Sequence, residues 1–208
     1  INCGGQGTEE WLKARLGVPS ASNFSKVVTT KGQRSTSFMG YVNALIAEKL
    51  TGDPTYVKIT EPMERGTSLE DEARAMYQLI EEVDVRQVDF IKHPNMEVGC
   101  SPDGLIDVKC DRGLIGGLEI KCPLQGTHVE YLRAGKVPSK YMLQVQGCMF
   151  VTGRGYWDFM SYHPKMKPLI VRTYRDDDLI NELATNLQEA VLLIEDGVDK
   201  FNWNGLFS

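Results

Sequence analysis

The stretch that decides the fold spans residues 100–123 and reads CSPDGLIDVKCDRGLIGGLEIKCP. Asp103 occupies a Pro-Asp-Gly turn near its start. Residues 118–122 lie between a Gly-Gly pair and a proline, which predicts a short buried strand. Because side chains alternate along a strand, Glu119 and Lys121 are expected on the same face. The stretch therefore predicts that two carboxylates and one lysine come together.

This group of residues suits the hydrolysis of a phosphodiester. A pair of carboxylates binds Mg²⁺ through hard oxygens and leaves water in the remaining positions. Lys121 can orient the attacking water or add positive charge near the scissile phosphate. The pattern resembles the PD-(D/E)XK nuclease superfamily. Pro-Asp-Gly is also a common turn and Glu-x-Lys a common solvated strand edge, so the three residues alone leave a purely structural interpretation open.

Composition indicates one globular domain over residues 1–208, with 42% hydrophobic and 25% charged residues. No apolar run approaches the ~18 residues of a membrane span, and no signal peptide is predicted. The five cysteines show no CxxC spacing, which is typical of reduced thiols in a cytoplasmic protein.

The net charge of −5 does not favour broad binding to nucleic acid. A nuclease of this charge needs local basic patches, with part of its acid neutralised by metal. The polar loop at 29–36 contains Lys31 and Arg34. Such a loop is either simply solvated or reaches across DNA phosphates.

Periodicity predicts helices and strands along the whole chain. The predicted helices cover 8–16, 20–28, 36–50, 65–82, 127–134, 139–151 and 176–195. The predicted strands cover 85–91, 96–100, 105–108, 118–122, 156–162 and 169–174, the first three as an antiparallel meander. This order predicts an α/β (α+β) domain with a central mixed sheet flanked by helices.

Several residues outside the central stretch have both a structural and a functional interpretation. Arg15 ends the first helix, where a cation suits the helix dipole. Ser20 is placed as the N-cap of the next helix. Glu70 lies beside the buried stripe of its helix and either pairs with Arg74 or leans toward a metal. Gln144 interrupts an otherwise apolar helix on the side of the predicted site.

The flanking sequence resembles the lambda-type (YqaJ-like) viral exonucleases over nearly the whole chain. Four blocks carry the resemblance and occur in the order that the family uses. They are WLKARLGVPSAS at 11–22, RGTSLEDEARAMY at 65–77, CSPDGL with LEIKCP within 100–123, and YMLQVQGCMFVTG at 141–153.

The resemblance implies the PD-(D/E)XK nuclease fold and a role for each matched residue. Asp103, Glu119, the Ile120 carbonyl and the helix carboxylate Glu70 are the implied metal ligands. Lys121 is the implied catalytic lysine, and Gln144 lines the site. Arg15 and Ser22 are implied to hold the terminal 5′-phosphate. Met63 takes the place of an apolar residue that helps to split the duplex end.

The family degrades one strand of linear duplex DNA from its 5′ end, forms a ring-shaped trimer and works beside a single-strand-annealing recombination protein. The expected cofactor is Mg²⁺, with Mn²⁺ as a substitute and two ions per site. The alternatives are another PD-(D/E)XK nuclease, such as an endonuclease or a RecB/Cas4-like enzyme, and a catalytically inactive DNA-binding module. A Cas4-type cluster needs further cysteines, and no cysteine follows Cys148.

Overall fold

A computed structural model describes residues 5, 7–55 and 61–202, without the side chains of 61–63. The helices are α1 (Glu9–Arg15), a 3₁₀ helix (Ala21–Lys26), α2 (Phe38–Thr51), α3 (Glu61–Glu81), α4 (Gln125–Ala134), α5 (Ser139–Thr152) and α6 (Asp177–Phe201). The strands are β1 (Ile91–Lys92), β2 (Gly99–Cys100), β3 (Gly104–Ile106), β4 (Gly116–Lys121), β5 (Tyr156–Ser161) and β6 (Leu169–Tyr174).

The central sheet has four strands in the order β3-β4-β5-β6. β4 runs parallel to β5, whereas β3 and β6 are antiparallel to their neighbours, so the sheet is mixed. The parallel pair requires a long crossover, which α4 and α5 supply. β1 and β2 form a separate antiparallel pair. The predicted fold class, a central mixed sheet flanked by helices, is confirmed.

Helices cover both faces of this sheet because its strands present apolar side chains on both faces. α3 packs on one face through Ala73 and Tyr77, against Leu118 and Ile120 of β4. The opposite face, with Trp157 of β5, packs against α5, α6, α2 and the 3₁₀ helix in a larger core. β4 is therefore buried on both faces, and any charged side chain on it needs a partner inside the protein.

The edge of β4 is paired over only half of its length. β3 pairs with Gly116, Gly117 and Leu118 and then turns away at Gly104. A Cβ atom at Gly117 would lie 2.4 Å from the Trp157 ring, so glycine is required where β4 passes this side chain. Beyond Leu118 the edge of β4 faces the Pro102–Gly104 turn instead of a strand.

The prediction of a strand at 85–91, and of an antiparallel meander that it forms with the next two strands, is wrong. Only Arg86 exchanges main-chain hydrogen bonds with Leu105, at 2.8 and 2.9 Å. The Asp89 carbonyl accepts instead from the indole nitrogen of Trp11, at 3.2 Å. A side chain from α1 thus takes a backbone acceptor that a strand partner needs, and regular pairing is confined to β1 and β2.

Capping residues define the ends of several helices. The Thr8 hydroxyl accepts from Trp11 N at the start of α1, and Gly52 ends α2 in the left-handed conformation with φ of 75°. Ser20 occupies the N-cap position of the 3₁₀ helix, as predicted, but its side chain makes no capping hydrogen bond. No helix in the described part of the chain combines the length and apolar character that crossing a membrane requires.

Candidate active site

Glu119 and Lys121 lie on one face of β4 and form an ion pair through Glu119 Oε1. The Glu119 side chain is 0% exposed, whereas that of Lys121 is 28% exposed. Ile120, between them, points to the opposite face and packs under α3. The two charged groups therefore occupy the α5 side of the sheet, with the lysine toward solvent.

Asp103 lies beside this pair at the unpaired edge of β4. Its Oδ2 accepts a 2.6 Å hydrogen bond from the Ile120 main-chain nitrogen, in the position that a further strand would occupy. Tyr162 N donates to the Lys121 carbonyl at 2.8 Å, so that carbonyl faces β5. Because successive carbonyls alternate along a strand, the Ile120 carbonyl faces the Asp103 edge.

Two helices bring further polar groups to the same place from opposite faces of the sheet. Gln144 of α5 donates from Nε2 to Glu119 Oε1 at 2.6 Å. Glu70 of α3 lies on the other side, and its charge acts on both Asp103 and Glu119. Glu70 Oε1 accepts from Arg74 at 2.5 Å, so the pair suggested by sequence spacing does form.

The carboxyl groups of the site hold their protons more tightly than free carboxyls do. Burial raises the pKa of Glu119 to about 7; the charge of Lys121 opposes this, and that of Asp103 adds to it. Burial also raises the pKa of Asp103 and of Glu70. Burial lowers the pKa of Lys121, but Glu119 and Asp103 reverse this and bring it above its ordinary value. The site therefore holds an excess of negative charge that a cation can relieve.

The donor set fits a divalent cation. Among the described residues, no three carboxylate, imidazole or thiol groups are already gathered as a metal cluster. Glu119 Oε2, however, is buried and accepts no hydrogen bond, which is costly unless a further partner binds there. Asp103 uses Oδ2 for Ile120 and keeps its second oxygen for another partner. Carboxylate and carbonyl oxygens at one edge are the ligands that Mg²⁺ prefers.

A second polar pocket surrounds the Arg15 guanidinium. Nη1 donates to Ser101 Oγ at 3.2 Å, and Nη2 lies 3.2 Å from Ser20 Oγ and 3.5 Å from Ser22 Oγ. The guanidinium stacks on the Trp11 ring, with Arg15 Cζ 4.1 Å from the ring centroid. Arg15 forms no salt bridge within the described residues. Burial lowers its pKa, but an arginine stays charged.

The hydroxyls around Arg15 are arranged to donate to a further group. Ser101 Oγ accepts from both Arg15 and the Trp11 indole, at 3.2 and 3.0 Å. Ser20 Oγ accepts from Arg15 and from Asn23 Nδ2, the latter at 3.4 Å. A hydroxyl has two acceptor lone pairs and one proton, so Ser101 keeps its proton for a further acceptor. Ser20 Oγ and Ser22 Oγ lie 3.5 Å apart, so one of their two protons can bond the other hydroxyl and one remains for a further acceptor. A cation with hydroxyl donors suits a phosphate.

The remaining predicted DNA-binding residues lie apart from these pockets. Lys31 is exposed in its loop. Arg34 is held against α6 by an ion pair with Glu189 and a 3.3 Å hydrogen bond to Asn186. Met63 belongs to α3, but its side chain lies outside the described residues. Their roles stay predictions.

Sequence reasoning missed three residues that the fold brings to the two pockets. Ser101 and Ser20 contact Arg15, although Ser20 was expected only as a cap. Tyr141 places its ring 5.4 Å from Lys121 Nζ and stacks on Phe159, at 5.4 Å between centroids. The position of Ser101 immediately before the Pro-Asp-Gly turn was the one available signal.

Comparison with known proteins agrees with this geometry. Residues 10–155 match the model of the YqaJ-like viral recombinase domain. The alkaline exonuclease LHK-Exo from Laribacter hongkongensis is 35% identical, with a TM-score of 0.83 over 96% of this chain and 98% of that chain. A structure of LHK-Exo in complex with dAMP is 34% identical, with a TM-score of 0.82 over the same shares. No curated protein sequence matched.

A more distant structure shares the fold alone. A phage-related exonuclease from Haemophilus somnus 129PT is 14% identical, with a TM-score of 0.67 over 88% of this chain and 96% of that chain. The family match covers most of the chain, and the alkaline exonuclease aligns over nearly its full length. The chain therefore belongs to the YqaJ-like viral recombinase family and is a nuclease with the PD-(D/E)XK fold.

Proposed function

We propose that this nuclease degrades one strand of linear duplex DNA from its 5′ end to mononucleotides, using Mg²⁺. One observation carries the proposal: the anion pocket and the carboxylate site share one segment of chain. Ser101 closes the pocket around Arg15, and Asp103 follows two residues later at the edge of β4. A terminal phosphate held at Arg15 therefore places the adjacent phosphodiester near the carboxylates.

Asp103, Glu119, Glu70 and the Ile120 carbonyl are the groups that would hold the metal. Mn²⁺ is expected to substitute, and two ions per site are expected. A bound metal lowers the pKa of a coordinated water and offsets charge on the phosphoryl oxygens. The chain itself supplies the orientation, because Gln144 holds the Glu119 carboxylate from the α5 side and the Ile120 amide holds Asp103.

Lys121 supplies the positive charge on the solvent side of this site. Its ammonium group is paired with Glu119 Oε1 and lies beside the Tyr141 ring. The raised pKa keeps it protonated at neutral pH, so it acts as a charge and hydrogen-bond donor and not as a base. It orients the attacking water or stabilises the negative phosphoryl oxygens in the transition state.

Selection of the 5′ end is assigned to the pocket around Arg15. A terminal phosphate is a dianion, whereas an internal phosphodiester carries a single charge. A guanidinium fixed by stacking on Trp11, with hydroxyl donors of Ser20, Ser22 and Ser101 beside it, favours the ligand with more charge and more acceptors. The similarity to an exonuclease structure that contains dAMP supports a deoxynucleotide product.

A simple digestion separates this activity from its alternatives. Linear duplex and closed circular DNA are incubated with Mg²⁺, with EDTA as the negative control. The proposed enzyme releases mononucleotides from the linear DNA alone and leaves a long 3′ single strand. Cutting of the closed circle would identify an endonuclease, and release of no nucleotides would identify a DNA-binding module.

The 3′ single strand that remains is the substrate of annealing-type recombination. We therefore assign the protein a partner that anneals single strands, consistent with its membership of a recombinase family. A homotrimeric ring is part of the same proposal, because cyclic symmetry closes an assembly around a linear substrate.

A further inference from the structure

Arg74 joins the third carboxylate of the site to the turn that carries Asp103. It lies on α3 one turn after Glu70, and its side chain is only 8% exposed. Nη2 bonds Glu70 Oε1 at 2.5 Å, and Nη1 bonds the exposed Asp71 at 2.7 Å. An ordinary surface pair between residues i and i+4 does not bury its cation in this way.

The same guanidinium reaches across to the sheet edge. Arg74 Nε donates to the main-chain oxygen of Asp103 at 3.0 Å. The Gln87 side-chain amide lies on the other side of the guanidinium. With its amide turned so that the oxygen faces Arg74, Gln87 accepts from Nη1 at 2.6 Å and from Nη2 at 3.2 Å. One planar group therefore contacts α3, the Asp103 turn and the segment after α3 together.

We propose that Arg74 is a positioning residue that fixes Glu70 relative to Asp103 so that both can ligate one metal site. The inference rests on the proposed function, because it concerns the affinity of that site for a divalent cation. The Asp103 carboxylate is fixed by Ile120 and the Asp103 carbonyl by Arg74, so the whole residue is held from both ends. Glu70 is brought to it by the other side of the same guanidinium.

Lysine cannot perform this function, although it carries the same charge. An ammonium group is a single point with rotating donors, whereas the guanidinium presents donors in a fixed plane. Arg74→Lys keeps the charge beside Glu70 but loses the simultaneous bonds to Glu70, Asp103 and Gln87. Groups that orient metal ligands typically change metal affinity by about 10- to 100-fold when altered.

Arg154, in the loop between α5 and β5, provides a matched control. Its side chain is also 8% exposed, and it donates to the carbonyls of Ile106 and Gly116 at 2.8 and 2.7 Å. It also pairs with Asp107. Arg154→Lys therefore removes a buried arginine network of the same kind at the opposite end of β4, without touching a residue of the metal site.

The test is calorimetric titration of the full chain with Mn²⁺ in the absence of DNA. We expect Arg74→Lys to raise the Kd for Mn²⁺ by about 10- to 100-fold and Arg154→Lys to leave it within about twofold. Gln87→Leu, at an exposed position, should raise the Kd for Mn²⁺ by about 2- to 10-fold, because it removes one hydrogen-bond acceptor of the guanidinium. This variant keeps the test valid if Arg74→Lys does not fold.

If the Arg74→Lys variant folds and binds Mn²⁺ with unchanged affinity, the positioning role is overturned. If Arg74→Lys does not fold, unchanged Mn²⁺ affinity of Gln87→Leu overturns it instead. Equal weakening in Arg154→Lys would overturn it too, by showing a general effect of destabilisation. Failure of the unmodified chain to bind Mn²⁺ is a different result, because it rejects the metal site of the proposed function itself. Thermal unfolding of each variant establishes which of them are folded.

Discussion

Ser101 accepts a 3.2 Å hydrogen bond from Arg15, which joins the first helix to the stretch that carries Asp103. The two residues are 86 positions apart in the chain. The bond fixes the distance between a pocket suited to a phosphate and an edge suited to a metal. A nuclease that measures from a DNA end needs such a fixed distance, since the reacting phosphodiester must be placed by contacts made elsewhere.

Removal of one carboxylate ligand should abolish most cleavage without unfolding the protein. Asp103→Asn and Glu119→Gln each replace a charged oxygen ligand by a neutral amide of the same size. A metal supplies several kcal/mol of transition-state stabilisation, so we expect a loss of at least about 100-fold in rate. Single-turnover digestion of linear duplex with Mg²⁺ measures the loss.

Stability of these variants provides the control. The raised pKa of Glu119 shows that its charge is held at a cost in the metal-free protein. Glu119→Gln should therefore unfold at the same temperature as the unmodified chain, or higher, at pH 8 without metal. Normal cleavage by Asp103→Asn would show that the metal site has been assigned to the wrong residues.

Lys121→Ala should separate metal binding from catalysis. The side chain bears no ligand atom for a cation, and its removal leaves Asp103, Glu70 and Glu119 in place. We expect Mn²⁺ still to bind, because the site loses a competing positive charge, while the rate falls by about 100-fold with the loss of one preorganised donor. Calorimetry and single-turnover digestion are compared. Loss of Mn²⁺ binding with loss of rate would contradict the assignment.

The sequence predicts those parts of the site that depend on local periodicity. Glu119 and Lys121 share a face because a strand repeats every two residues, and the structure places them in an ion pair. Gln144 stood out as a polar residue in an apolar helix, and it contacts Glu119. In both cases the periodicity of a single strand or helix predicts which face the residue occupies, and packing of the elements then brings these faces together.

Contacts between different elements could not be predicted in this way. Ser20 has the pattern of a cap, but its hydroxyl accepts from Arg15 at the end of α1, five residues earlier, and not from a main-chain nitrogen of its own helix. The segment 85–91 has the pattern of a strand, but the Trp11 indole takes its Asp89 carbonyl. Each outcome depends on which of two available partners is closer in three dimensions.

Preference for a 5′-phosphate should depend on Arg15. We expect the unmodified enzyme to digest 5′-phosphorylated duplex about 10- to 100-fold faster than 5′-hydroxyl duplex, because charge-assisted hydrogen bonds are each worth about 1.5–3 kcal/mol. Arg15→Ala should remove most of this difference by slowing only the phosphorylated substrate. Initial rates on two duplexes that differ only at the 5′ end measure it.

Arg34→Ala is the control for a general loss of positive charge. Arg34 is paired with Glu189 on α6 and lies outside the pocket. Its removal should leave the preference for the phosphorylated end unchanged. Equal rates of the unmodified enzyme on both ends would reject the phosphate pocket.

Processivity should come from assembly and not from charge. At a net charge of −5 the protein cannot hold DNA by broad electrostatic attraction, and contacts to phosphates weaken steeply with salt. A closed ring of three subunits that admits duplex at one face and releases single strand at the other would block dissociation topologically. Long tracts are then digested at salt concentrations that weaken simple binding.

We therefore expect a trimer in solution and long single-strand products even when competitor DNA is added after the start. Light scattering gives the mass of the assembly, and digestion with a competitor trap gives the tract length. The tract length should change little between low and moderate salt, because salt weakens contacts with phosphates but does not open a closed ring. A monomer that stops within a few nucleotides of the trap would reject the ring.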